Sequence, residues 1–132
     1  MPNDSDDFEI SNINPGEREI QIVHPKTREK LGISIFIMSV DDPRMKRHTR
    51  KLMDKRSERQ RKNKILSAEE MEAGMIELVA HAVTDWNWGE RKYKGEVPQY
   101  SHRKVLEVFS DENISWLFDQ VNEEVGETKA FF

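Results

Sequence analysis

Few groups in this chain can do chemistry. Its four histidines, His24, His48, His81 and His102, are scattered, and none is paired with another at metal-ligand spacing. There is no cysteine, which excludes a thiol nucleophile, a disulfide and a cysteine-based zinc site. Glu69, Glu70, Glu72 and Glu77 gather four carboxylates within nine residues. Glu70 stands three residues after Ser67, where its side chain closes a helix capping box, and the other three read as a solvated helix face. The chain has no phosphate-binding glycine loop, no G-x-G-x-x-G, no H-E-x-x-H and no G-x-S-x-G. No nucleophile, base and orienting group converge, so the reading is a protein that is not an enzyme and uses no metal or cofactor.

Charge is the more informative chemistry. The formal net charge is only -4, but its placement is uneven. Residues 1–43 carry nine acids and four bases, residues 44–64 eleven bases and two acids, and residues 65–132 six bases and fourteen acids. The central run includes Arg47, Lys51, Lys55, Arg56 and Arg59. Such a run is a solvated helix face, a docking surface for an acidic protein, or a track for nucleic acid. The third is the weaker reading, because no aromatic is interleaved to stack on bases and the acidic flanks repel phosphate. Three further candidates for partner contact are aromatic. Trp88 falls at a helix end, where a rim aromatic of a protein interface would sit. Phe131 and Phe132 end a charged tail with two large apolar groups, which need cover from the protein's own core or from a partner.

The elements that must position these groups follow from periodicity. At 132 residues the chain suits one small domain of roughly 100–150 residues. Residues 1–16 read as a mobile acidic tail without the basic and apolar regions of a secretion signal, and no apolar run is long enough to span a membrane. Ile20 and Ile22 alternate with Glu19 and Gln21, and Ile33, Ile35 and Ile37 alternate with Ser34, Phe36 and Met38. Both are half-buried strands, and His24-Pro25-Lys26-Thr27 begins the turn between them, so residues 17–40 form a β-hairpin. An isolated hairpin is marginal in water, so this one packs on the helices or gains strands from a second copy. Asp42 and Pro43 start a basic helix over 42–64 whose apolar stripe is thin: Met45, Leu52 and Met53. A helix polar nearly all round projects from a body or packs along one narrow seam.

Ser67 opens a third segment, 67–88, in which Met71, Met75, Leu78, Val79, Ala82, Val83 and Trp86 recur at helical spacing. Trp86 reads as core on that stripe, and His81 beside it as a structural histidine; Gly89 serves as a left-handed cap. Two shorter helices follow, over 101–109 with Val105, Leu106 and Phe109, and over 111–126 with Ile114, Leu117, Phe118, Val121 and Val125. Trp116 lies off that last stripe and reads as another rim aromatic. The fold class is α+β, mainly α: a hairpin, a long basic helix and about three further helices.

The order of these features resembles a known family. Asp41-Asp42-Pro43 opens a Lys/Arg-rich helix after a hairpin bearing His-Pro-Lys-Thr and Leu-Gly-Ile. Ser67-Ala68-Glu69-Glu70 opens an apolar segment running to Val83-Thr84-Asp85-Trp86, and Ala130-Phe131-Phe132 closes the chain. Over residues 18–132 this is similar to the tail assembly chaperones of long-tailed bacteriophages, the lambda protein G-like group. The resemblance implies a siphovirus protein without catalytic residues. It would act in the host bacterial cytoplasm, be missing from the mature virion, keep the helical tape measure protein soluble, and recruit tail tube protein around it. Some members have a longer frameshifted form. Thr84-Asp85-Trp86-Asn87-Trp88 stands where the family has a Trp-containing turn, and its second Trp departs from that pattern. The competing expectations are a nucleic-acid-binding regulator using residues 44–64 and a structural head–tail joining component.

Overall fold

The structure is a computed structural model and describes residues 17–62 and 65–126. The acidic segment 1–16 and the pair Phe131 and Phe132 lie outside the described residues.

Strands β1 (Glu17–Val23) and β2 (Lys30–Met38) pair antiparallel, with Ile20 opposite Ile35 and Ile22 opposite Ile33. The alternation places Ile22, Ile33, Ile35 and Ile37 in the core, while Glu19 and Gln21 face solvent. The connecting turn is held by His24, whose Nδ1 accepts from the amides of Lys26 and Thr27, both at 3.1 Å. This turn role accounts for one of the four histidines.

Helix α1 (Pro43–Arg61) starts where the sequence places it. Asp42 caps it by accepting from the Arg44 amide at 2.9 Å. The same buried carboxylate takes Nε and Nη2 of Arg44 at 3.1 and 3.0 Å, and Arg44 Nη2 also reaches Glu17 on β1 at 3.1 Å. The hydrogen-bonded guanidinium holds the Asp42 carboxyl below its ordinary range against the opposing effect of burial. Met45 and Thr49 are the only buried residues of the helix.

Helix α2 (Ala68–Ala82) begins with the expected capping box: the Glu70 amide donates to Ser67 Oγ at 3.1 Å, and the Ser67 amide to Glu70 Oε1 at 3.5 Å. Its end corrects the expectation of a helix to residue 88. The helix stops at Ala82, and Val83–Asn87 form strand β3, antiparallel to β2 with Trp86 opposite Ile35. The hairpin is therefore part of a three-stranded sheet in the order β1-β2-β3. Val83 and Trp86, three residues apart, share a helical stripe; in the strand both reach the core because the register shifts, with Asp85 opposite Phe36 but Val83 opposite Ile37. The free edge of β2, together with β-branched Val83 and Thr84, selects the strand. Gly89 does have a left-handed backbone, φ +59, but it follows a strand rather than capping a helix. A Cβ there would sit 3.2 Å from the Gly32 carbonyl.

The loop after β3 is tied to the body by aromatic side chains. Trp86 Nε1 donates to the Pro98 carbonyl at 3.1 Å, and Tyr100 Oη to that of Val83 at 3.0 Å. Tyr93 Oη donates to Asp111 at 2.9 Å; burial and that carboxylate push its hydroxyl up to about 12, so it stays a donor. Helix α3 (His102–Phe109) is capped by Ser101. The expected single helix over 111–126 is divided into a 3₁₀ turn, Glu112–Ile114, and helix α4 (Ser115–Val125). Asp111 caps the 3₁₀ turn through the Asn113 amide at 3.0 Å. Leu117, Val121 and Val125 bury one face of α4, and Val105, Val108 and Phe109 one face of α3. Together with Leu78 and Val79 of α2 they cover the isoleucine face of the sheet in one core. The molecule is an α+β fold, mostly helical.

Candidate protein-binding surface

The sequence singles out α1, and the structure sorts its cations by direction. Arg47, Lys51 and Lys55 are spaced four apart and exposed, with Lys51 near the His48 and His81 rings and Lys55 at a cleft between α1 and α2. Arg56 and Arg59 are half-buried. Arg59 Nη2 bonds Glu70 Oε2 on the first turn of α2 at 2.5 Å, which with the Ser67 amide lowers the Glu70 carboxyl below its ordinary range. This pair ties the far end of α1 across to α2.

Behind that ion pair lies a cleft of about 370 Å³. Leu52, Lys55, Arg56 and Arg59 of α1 form one wall. Leu66, just before the Ser67 cap, and Glu70, Ala73 and Gly74 of α2 form the other. The two adjacent small residues on α2 leave space that larger side chains would occupy. Four large hydrophobic residues are exposed among the described residues, and three of them, Met53, Ile65 and Met71, belong to the middle of α1, the connection and the first turn of α2. Ile65 is 92% exposed, far more than core packing allows.

The root of α1 is held differently. His48 stacks on His81 of α2 with ring centroids 3.9 Å apart and planes inclined by 11°. His48 Nε2 is buried without a hydrogen-bond partner. Burial first, then the neighbouring ring, lowers the His48 pKa; burial first, then His102, lowers that of His81. His81, read from the sequence as a structural histidine, stacks on His48 in the structure. His102 contacts Glu77 at 3.3 Å nearby. Among the described residues no group of three or more histidine or acidic side chains is placed to hold a metal ion.

The aromatic candidates are placed otherwise than expected. Trp88 is not a rim residue: it is 4% exposed, packed edge-on against Trp86 at 5.5 Å and tilted against Tyr93 at 6.2 Å. Its position just past β3 turns it into the core, a consequence of the strand that helical periodicity concealed. Its Nε1 is buried with no hydrogen-bond partner. Trp116 is half-buried against the core. The cleft residues Leu66, Ala73 and Gly74 escaped the sequence reading; the available signal was a pair of small residues interrupting the α2 stripe.

The free edges of the sheet bear on self-association. Gln120 of α4 donates to the Val23 carbonyl at 2.8 Å and accepts from its amide at 3.0 Å, as a neighbouring strand would. Beside it Arg18, Arg28, Glu123 and Glu124 line a charged cleft between β1 and α4. Across the sheet, Tyr100 takes the Val83 carbonyl of β3. Sheet extension by a second copy therefore has to displace side chains already bonded at both edges. None of the described helices is long and apolar enough to cross a membrane. Set against family models, curated proteins and solved structures, the chain matches none.

Proposed function

We propose that this chain is a non-enzymatic assembly chaperone of a long-tailed bacteriophage, which binds the tape measure protein and helps recruit tail tube subunits during morphogenesis. The observation that carries the reading is helix α1. It is strongly cationic, buries only Met45 and Thr49, and forms one wall of a cleft whose apolar lining is Leu52, Leu66, Ala73 and Gly74. A surface of mixed charge and apolar character suits a protein that holds other proteins. Many copies along one extended client gain avidity without a strong single contact. The ordered sequence motifs supply the identity of the client, and the host cytoplasm is where such a complex would form.

Co-expression with the tape measure protein of the same genome tests the proposal. The client should shift from the insoluble to the soluble fraction and co-purify with the chain, and the chain should be missing from purified particles by mass spectrometry. Failure of both rescue and co-purification rejects the chaperone. Recovery of the chain as a stoichiometric particle component favours a head–tail joining role.

A further inference from the structure

We infer that the cleft between α1 and α2 is a docking groove for an amphipathic helix bearing aliphatic anchors and an acidic flank. The inference rests on the chaperone reading and gives it a site and a client chemistry.

The apolar part of the groove is made by Leu52, Leu66, Ala73 and Gly74. Apart from Leu66 before the Ser67 cap, its lining residues belong to two helices, which offer no strand-like row of free amides and carbonyls. An extended segment would lose water from its own backbone there and find no replacement partners, at a cost of about 1–3 kcal/mol per group. A helix bonds its backbone internally and can present aliphatic side chains one turn apart. Gly74, which has no side chain, and Ala73 let those side chains enter.

The sign of the flank follows from the rim. Lys55, Arg56 and Arg59 stand on the α1 wall. The carboxylate in the lining is Glu70, already bonded to Arg59 and to the Ser67 amide. Carboxylates on the incoming helix complement the α1 wall, whereas lysines would meet like charge. The Arg59–Glu70 pair closes one end of the groove at the surface, where exchanging one exposed ion pair for another costs little.

Two synthetic helical peptides with the same leucine spacing, one flanked by glutamate and the other by lysine, serve as probes. Fluorescence anisotropy with the full chain should show the glutamate peptide binding at least about tenfold more tightly, a difference of about 1.4 kcal/mol. Ala73→Phe should fill the groove and weaken that binding at least about tenfold, with circular dichroism checking that the fold is kept. Lys55→Glu, an exposed change that leaves packing alone, should narrow or reverse the preference between the peptides. Equal binding of both peptides, binding of neither, or indifference to both substitutions overturns the inference. Displacement of the glutamate peptide by single-stranded DNA near physiological salt also overturns it, in favour of a nucleic-acid site. If Ala73→Phe abolishes peptide binding but still rescues the tape measure protein, the client uses another surface and the chaperone reading stands. If the wild-type chain binds peptide but rescues nothing, the groove stands and the chaperone falls.

Discussion

Strand β2 is nine residues long and buries Ile33, Ile35, Ile37 and Met38, whereas helix α1 is nineteen residues long and buries Met45 and Thr49. The two regions are shaped by different forces. In the body, three strands and three helices exclude water from a shared apolar cluster, so each element is fixed by its neighbours. In α1, local chemistry dominates: the Asp42 cap, Pro43 at the first position, good helix formers, and a Glu58–Lys62 pair four residues apart at 3.0 Å. Its attachment includes Met45, Thr49, the Arg44 clamp and the His48–His81 stack at the root, Leu52 against the core, and the Arg59–Glu70 pair near its end. A substitution on the inner face of β2 opens the core, whereas one on the exposed face of α1 does not.

The largest expected effect lies in the body. Ile35→Ala removes a fully buried side chain at the centre of the sheet and should cost about 2–5 kcal/mol in a denaturant melt. The parallel change Met53→Ala on exposed α1 should stay within about 0.5 kcal/mol. A Met53→Ala loss equal to that of Ile35→Ala would erase the distinction between the regions. Asp42→Ala, at their junction, removes the α1 cap and leaves Arg44, of its Asp42 and Glu17 partners, only Glu17; about 1–2 kcal/mol should be lost, with amide exchange accelerated first in α1. Uniform acceleration over the sheet would show that the arm and body unfold together.

A pH titration sharpens the comparison more locally. Both rings of the His48–His81 stack have lowered pKa values, so the native state prefers them neutral. Below the ordinary histidine value of about 6.5 the unfolded chain binds protons that the stacked pair resists. The stack's contribution is therefore present above that value and lost as pH falls through the lower native values. Glu77 favours the protonated rings, while Lys51 and His102 oppose them. Exchange at the root of α1, corrected for intrinsic rates, should rise between about pH 7.5 and pH 5 while the sheet stays protected. His48→Phe with His81→Phe keeps two stacked rings without titration and should remove the pH dependence; its persistence would show that the stack is not its source. The smallest effect belongs to Arg59→Ala. This breaks an exposed ion pair and should leave the melt unchanged within error, altering only the mobility of the end of α1.

Much of this division is legible in the chain. The alternation of Ile20, Ile22, Ile33, Ile35 and Ile37 marks two strands, Asp42-Pro43 and Ser67-Ala68-Glu69-Glu70 mark two helix starts, and the thin stripe of α1 marks a helix that the core does not enclose. The candidate site is legible in part: its cations stand out as a run, but which of them face α2 does not. Lys51 and Lys55 are four residues apart on one helix, yet Lys55 borders the cleft and Lys51 lies toward the histidine stack. Trp88 stands two residues past Trp86, so an extended backbone turns both inward whereas a helix would point them apart. A vacant strand edge 48 residues away decided between them, and local sequence carries no record of that edge.

Composition, charge placement and periodicity determined that this would be an α+β chain with a cationic helix between acidic flanks, because capping, propensity and alternation act within a few residues. Tertiary structure alone decided that residues 83–87 join β2, that Trp88 turns inward, that His48 finds His81, and that small residues of α2 leave a groove beside α1. Each of those outcomes is a contact between segments distant in sequence, settled by which surfaces remained to be covered once the local elements had formed.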